Sequence, residues 1–159
     1  MRHRLCSTTL SRPKTLGPSP AAPPLFEPSP TLNVDPPQLL VLDDHADTRL
    51  LITYLCPSSW HLTLCATCAE AQSALTTQRF DLLILDIQLP DGSGRDVLRF
   101  ARRHRNSRNN DVPAVAVTAM AYTSAKTQRL KEEFETYLTK PFRKSDFVEI
   151  VCKHELIKP

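Results

Sequence analysis

Beyond residue 37 the chain alternates between two hydrophobic rhythms. Short runs rich in Leu, Val and Ile read as strands: Leu39–Asp43, His61–Ala66, Asp81–Asp86, Val112–Thr118 and Glu135–Thr139. Between and after them, apolar residues recur at helical spacing. A first helix is expected at about Ala46–Cys56, with Leu50, Leu51, Tyr54 and Leu55 on its stripe. Only residues 57–59 separate it from Trp60, so it is expected to be short. A second, about Cys68–Gln78, uses Ala71, Ala74 and Leu75, and a third, about Gly94–Arg105, uses Val97, Leu98, Phe100 and Ala101. The fourth, about Thr123–Glu133, has the poorest stripe, essentially Leu130 and Phe134. The fifth, about Ser145–His154, carries Phe147, Ile150, Val151 and His154 at i, i+3, i+4, i+7.

Strict β-α alternation predicts an α/β fold: a five-stranded parallel sheet, right-handed crossovers, and helices on both faces. The run Leu82–Leu85 has the composition of a strand buried on both sides. Five strands can be wound in several orders. The flavodoxin-like (βα)5 order 2-1-3-4-5 sets strands 1 and 3 side by side at the switch point, where such folds bind ligands.

That order has a chemical consequence. Asp43 and Asp44 end the first apolar run and Asp86 ends the third, so three carboxylates meet at the C-terminal rim. Acids gathered there repel one another and are costly to bury unpaired. A hard divalent cation with oxygen ligands and retained waters, usually magnesium, resolves the repulsion. Thr118 ends the fourth strand and Lys140 the fifth, bringing a hydroxyl donor and an ammonium to the same rim. Those groups suit the oxygens of a phosphoryl group, and a carboxylate is itself a competent nucleophile toward phosphorus.

At this point the chain resembles the receiver domains of two-component response regulators. The resemblance covers about residues 38–157. It rests on Asp43-Asp44, the loop from Asp86 through Pro90-Asp91-Gly92 to Gly94, Thr118-Ala119 and Lys140-Pro141. The separations are family-like: 42 residues from Asp44 to Asp86, 32 more to Thr118 and 22 more to Lys140. The resemblance implies that Asp86 accepts a phosphoryl group from a histidine kinase or a histidine phosphotransfer protein, in a Mg2+-dependent reaction. Asp43, Asp44, Asp86 and the backbone carbonyl of Gln88 would hold the metal. Lys140 would pair with phosphoryl oxygens, and its bond to Pro141 is expected to be cis.

Thr118 would swing toward the phosphoryl group with Tyr137 following inward. The face of the fourth helix, fifth strand and fifth helix would then change for a downstream protein partner. Whether a phosphorylation-dependent homodimer forms is left open. Self-catalysed phosphotransfer and slow autodephosphorylation would be the whole intrinsic chemistry, so the chain is not expected to be a turnover enzyme. The alternative is a constitutive, non-phosphorylated interaction scaffold with the same rim. A dehalogenase-type phosphatase, which also uses a nucleophilic Asp, is set aside because Gln88 stands where its second Asp is needed.

Composition adds organisation. Nine of the 14 prolines lie in residues 1–37 (13, 18, 20, 23, 24, 28, 30, 36, 37), which favours a disordered tail or linker ahead of the receiver region 38–157. That leader holds four Lys/Arg against two acids, leaving 16 against 15 in the rest, so the net +3 gives no case for nucleic acid. No run has the length of a membrane span, and a cytoplasmic location is expected. Five scattered cysteines (6, 56, 65, 68, 152) suit a reducing compartment. Cys65 and Cys68 form a C-x-x-C without partner ligands, read as a strand end followed by a helix start. Arg99, Arg102, Arg103, His104, Arg105 and Arg108 form an acid-free basic run, read as a solvated helix end whose cations suit the dipole. The chain ends soon after the fifth helix, which suits a stand-alone receiver or the receiver end of a hybrid kinase.

Overall fold

Alternating residues of a strand face opposite sides of a sheet. Here that rhythm divides one set of strands between two cores. The computed structural model describes residues 35–105, 108–119, 128 and 131–154. Its strands are β1 (Gln38–Leu42), β2 (His61–Cys65), β3 (Leu82–Asp86), β4 (Ala114–Thr118) and β5 (Thr136–Thr139). All pair in parallel in the order 2-1-3-4-5, the order expected. Helices α1 (Ala46–Leu55), α2 (Cys68–Thr77), α3 (Gly94–Arg103) and α4 (Lys144–Lys153) connect or follow them. Here α4 is the expected fifth helix. Most of the expected fourth, including Leu130, lies outside the described residues, although Gln128 and residues 131–133 are helical.

The central strands β3 and β4 are buried at every position, and β1 at all but its first. On one face Leu40, Leu42, Leu83, Leu85, Ala114 and Ala116 pack against Ala71, Leu75, Val97, Leu98 and Ala101 of α2 and α3. On the other, Leu39, Val41, Leu82, Ile84, Val115 and Val117 pack against Ile52 of α1 and Phe147, Ile150 and Val151 of α4. Each fully buried Leu, Ile or Val contributes about 1.5–3 kcal/mol by leaving water, so a one-residue slip in register would exchange both cores at once.

Capping chemistry sets where the helices begin. Thr67 accepts from the Glu70 N–H at 3.2 Å while Glu70 reaches back to the Ala66 N–H at 2.7 Å, starting α2 just past β2. Ser93 accepts from the Arg95 N–H at 3.2 Å and starts α3.

The expected stripe of the first helix is overturned except at Leu55. Leu50, Leu51 and Tyr54 are exposed, Tyr54 by 78%. Ile52 is buried instead, with Leu55 and Cys56 packed beside it. Positions 52, 55 and 56 form a second stripe at i, i+3, i+4. Only Asp43, Asp44 and His45 link β1 to α1, and so tight a link fixes which side of the helix meets the sheet. Nor is the helix short: α1 has ten residues, as do α2 and α3.

Candidate functional site

The rim at the C-terminal ends of β1, β3, β4 and β5 is where charge enters an otherwise apolar sheet. Asp43 immediately follows β1, its N–H donating to the Cys65 carbonyl at 3.1 Å. It is 1% exposed. Its Oδ1 accepts from the His45 N–H at 2.9 Å, and Arg49 donates to its carbonyl. Asp86 closes β3 and is 4% exposed, with Oδ1 accepting from the Gln88 N–H at 2.8 Å. Asp44 is more open, and its Oδ1 lies 2.8 Å from His45 Nδ1.

Lys140 joins these strands electrostatically. Its Nζ lies 2.6 Å from Asp43 Oδ2 and 2.6 Å from Asp86 Oδ2, so one ammonium bridges the ends of β1 and β3 from the end of β5. Burial works to lower the Lys140 pKa, but hydrogen bonds and charge from Asp43 and Asp86 outweigh it and hold the group above the ordinary lysine value. The Lys140–Pro141 peptide bond is cis. Three carboxylates thus gather at the rim around one ammonium, an excess of acid that a divalent cation offsets.

Donor chemistry fits such an ion. Oxygen or nitrogen atoms from Asp43, Asp44, His45 and Asp86 all lie within 4.8 Å of one another. His45, Thr48, Asp86, Gln88, Ala119 and Lys140 line an open cleft above them. Thr118 is completely buried at the end of β4, one residue past Val117, the pairing partner of Asp86. The Thr118 carbonyl accepts from the Lys140 N–H at 2.7 Å. Tyr137 stands apart from the rim on β5, paired with Ala116 and 37% exposed, with Lys131 Nζ 6.0 Å from its ring centre.

The β3–α3 loop holds Asp86 in place. Ser93 donates to the Ile87 carbonyl at 2.9 Å, and Asp91 accepts from the Cys68 N–H at 2.8 Å. A Cβ added at Gly94 would lie far inside contact distance of the Asp86 carbonyl oxygen, so glycine is required by close approach of the backbone.

Other sequence features find structural roles. Cys65 ends β2 and Cys68 opens α2, as read. Both are free, and burial pushes each thiol up to about 11, far from a reactive thiolate. In the basic run, Arg99 reaches Asp96 and Glu133, while Arg102 donates to the carbonyls of Asn109 and Asn110 and pairs with Glu135. Near the rim and on the α3 side, two further residues take part in polar contacts. His45 carried a signal, since it directly follows the acid pair. Glu133, gripped by Arg95 through two 2.6 Å bonds, carried none.

Comparison with known proteins agrees with this geometry. A family model described as the response regulator receiver domain matches residues 39–152. The chain is 32% identical over 129 residues to the sensor histidine kinase GacS of Pseudomonas protegens, covering 80% of this chain but 14% of the kinase. Among solved structures, it resembles the receiver domain of the sensor histidine kinase PA1611 of Pseudomonas aeruginosa, with a magnesium ion coordinated in its active-site cleft. That match has a TM-score of 0.63, 26% identity, and covers 74% of this chain and 95% of that one. A solved structure from Chloroflexus aurantiacus matches with a TM-score of 0.66 at 25% identity, covering 75% of this chain and 97% of that one.

Proposed function

The chain belongs to the response regulator receiver domain family, and on that premise we propose that Asp86 is its phosphoacceptor. The observation that carries this reading is the buried Asp43–Lys140–Asp86 bridge, which already holds a nucleophilic carboxylate beside a cation suited to phosphoryl oxygens. A lone pair on the Asp86 carboxylate forms the new O–P bond. The N–P bond of a phosphohistidine donor breaks, and its electron pair leaves with the imidazole nitrogen. Asp43, Asp44, Asp86 and the Gln88 carbonyl would hold Mg2+. When bound there, Mg2+ would supply positive charge against these carboxylates and the incoming phosphoryl oxygens.

The product carries nearly two added negative charges and three strong acceptor oxygens. Lys140 exchanges a carboxylate oxygen for a phosphoryl oxygen, and the Thr118 hydroxyl donates to another. These contacts exist only in the phosphorylated rearrangement, so they shift the conformational population. Tyr137, exposed on β5, moves inward with Thr118 and reshapes the surface that β5 and α4 offer a downstream protein. The donor is a histidine kinase or histidine phosphotransfer protein. Residues 38–157 are the receiver module, residues 1–37 its tail or linker, and the chain works in the cytoplasm. No helix among the described residues is long and apolar enough to cross a membrane.

The test is intact mass after incubation with acetyl phosphate, with Mg2+ or with EDTA, for wild type and Asp86→Asn. Gain of one phosphoryl group only in wild type with Mg2+ is the expected result. No gain in folded wild type, either from acetyl phosphate or from a phosphorylated histidine-containing donor protein, would favour the constitutive scaffold.

A further inference from the structure

Among the acids of the rim stands one donor of different chemistry. His45 occupies the N-cap of α1, yet its side chain makes no capping hydrogen bond. Its Nδ1 lies 2.8 Å from Asp44 Oδ1 and 3.6 Å from Asp43 Oδ1, and the ring lines the same cleft as Asp86 and Gln88. Around an octahedral ion with bonds of ~2.1 Å, neighbouring ligands stand ~3 Å apart and opposite ones ~4.2 Å. The four donor atoms all lie within 4.8 Å of one another, close enough for small side-chain shifts to bring them around one ion. The His45 backbone is anchored by its N–H bond to Asp43 Oδ1, while the ring, 69% exposed, is free of the core.

Imidazole changes which cation a site prefers. Carboxylates, carbonyls and water suit magnesium, whereas imidazole nitrogen suits first-row transition ions such as Ni2+ and Zn2+. We infer that His45 is a cation-selecting ligand that lets this rim take a transition-metal dication of the Ni2+ and Zn2+ class alongside Mg2+. The inference rests on the rim being a divalent-cation site. Binding the ion breaks the Nδ1–H···Asp44 hydrogen bond and leaves the ring proton on Nε2, which frees the Nδ1 lone pair for the metal, while Asp43, Asp44 and Asp86 complete a mixed nitrogen–oxygen set. Cys65 and Cys68 do not compete, because both are buried as neutral thiols.

The experiment titrates the full chain with Ni2+ and, separately, with Mg2+ by calorimetry, for wild type, His45→Ala and Asp86→Asn. Ultraviolet spectra report any thiolate–nickel charge transfer, and proton NMR follows the His45 ring. The ratio of Ni2+ to Mg2+ affinity should fall by about tenfold or more in His45→Ala. In wild type, Ni2+ should broaden the His45 ring signals first. His45 is exposed and caps nothing, so the variant retains the fold, which circular dichroism verifies. An unchanged affinity ratio, with Mg2+ still bound by both proteins and weakened by Asp86→Asn, would refute the role of His45 and leave the cation site standing. Thiolate charge transfer at the first equivalent of Ni2+ would also refute it. Failure of wild type to bind either ion would overturn the cation site itself.

Discussion

Replacing Lys140 with methionine removes the one cation that the two most buried rim carboxylates share. Asp43 and Asp86 each lie 2.6 Å from Nζ, and their side chains are 1% and 5% exposed. At that distance each pair attracts by about 6 kcal/mol at an effective dielectric of ~20, before desolvation is subtracted. Desolvation of the ammonium takes back much of this. Deleting one partner of a buried pair costs about 3–5 kcal/mol, because the other charge is left uncompensated. The Lys140 side chain retains 17% exposure, which places the loss near the lower bound. A loss of about 3 kcal/mol lowers the melting temperature of a domain this size by about 12 °C. The assay is thermal unfolding in EDTA, then across a Mg2+ titration. Without Lys140 the cation no longer competes with an ammonium, so Mg2+ should stabilise Lys140→Met more than wild type, by about 1.4 kcal/mol for each tenfold gain in affinity. The reasoning fails if the variant matches wild-type stability in EDTA. It fails equally if Mg2+ stabilises both proteins by the same amount.

Gly94→Ala should destabilise the fold by about 1–3 kcal/mol in urea unfolding, because the new methyl group drives into the Asp86 carbonyl. The same displacement should slow phosphorylation, which a variant of intact stability and rate would contradict. Glu133→Gln should cost about 1 kcal/mol at neutral pH, since both partners of the Arg95–Glu133 pair are about 30% exposed. The Arg95 hydrogen bond holds the Glu133 carboxyl below its ordinary value. Its contribution is therefore present above the unfolded glutamate pKa and lost as pH falls through the folded one. Wild type and variant should converge in acid, as denaturant titrations at stepped pH would show.

The parts of this structure that follow periodic patterns were readable from the chain. Leu82–Leu85 announced a strand buried on both faces and Val115–Val117 an apolar strand, and the residues that follow them, Asp86 and Thr118, fell at one rim once the strand order was set. Lys140 was legible for the same reason, as a charge at a strand end with proline behind it. The rotation of α1 was not legible. Its sequence carries two overlapping apolar stripes, and the choice between them depends on how β1 hands over to the helix. Long-range polar pairing left no trace either. Asn109 is buried, with Oδ1 accepting from the Phe80 N–H at 2.8 Å and Nδ2 donating to the Leu75 and Gln78 carbonyls at 3.0 and 2.9 Å. Nothing periodic distinguishes an asparagine that ties α2 to β3 from one in an open loop. His45 stands outside the oxygen set expected around magnesium, so only its place beside the acid pair pointed to it.

The most direct measurement traps the phosphorylated chain with borohydride, which reduces an acyl phosphate to homoserine, and maps the product by peptide mass. The account predicts conversion at Asp86 alone, dependent on Mg2+. Conversion at Asp43 or Asp44, or none in a chain shown to be folded, would contradict it.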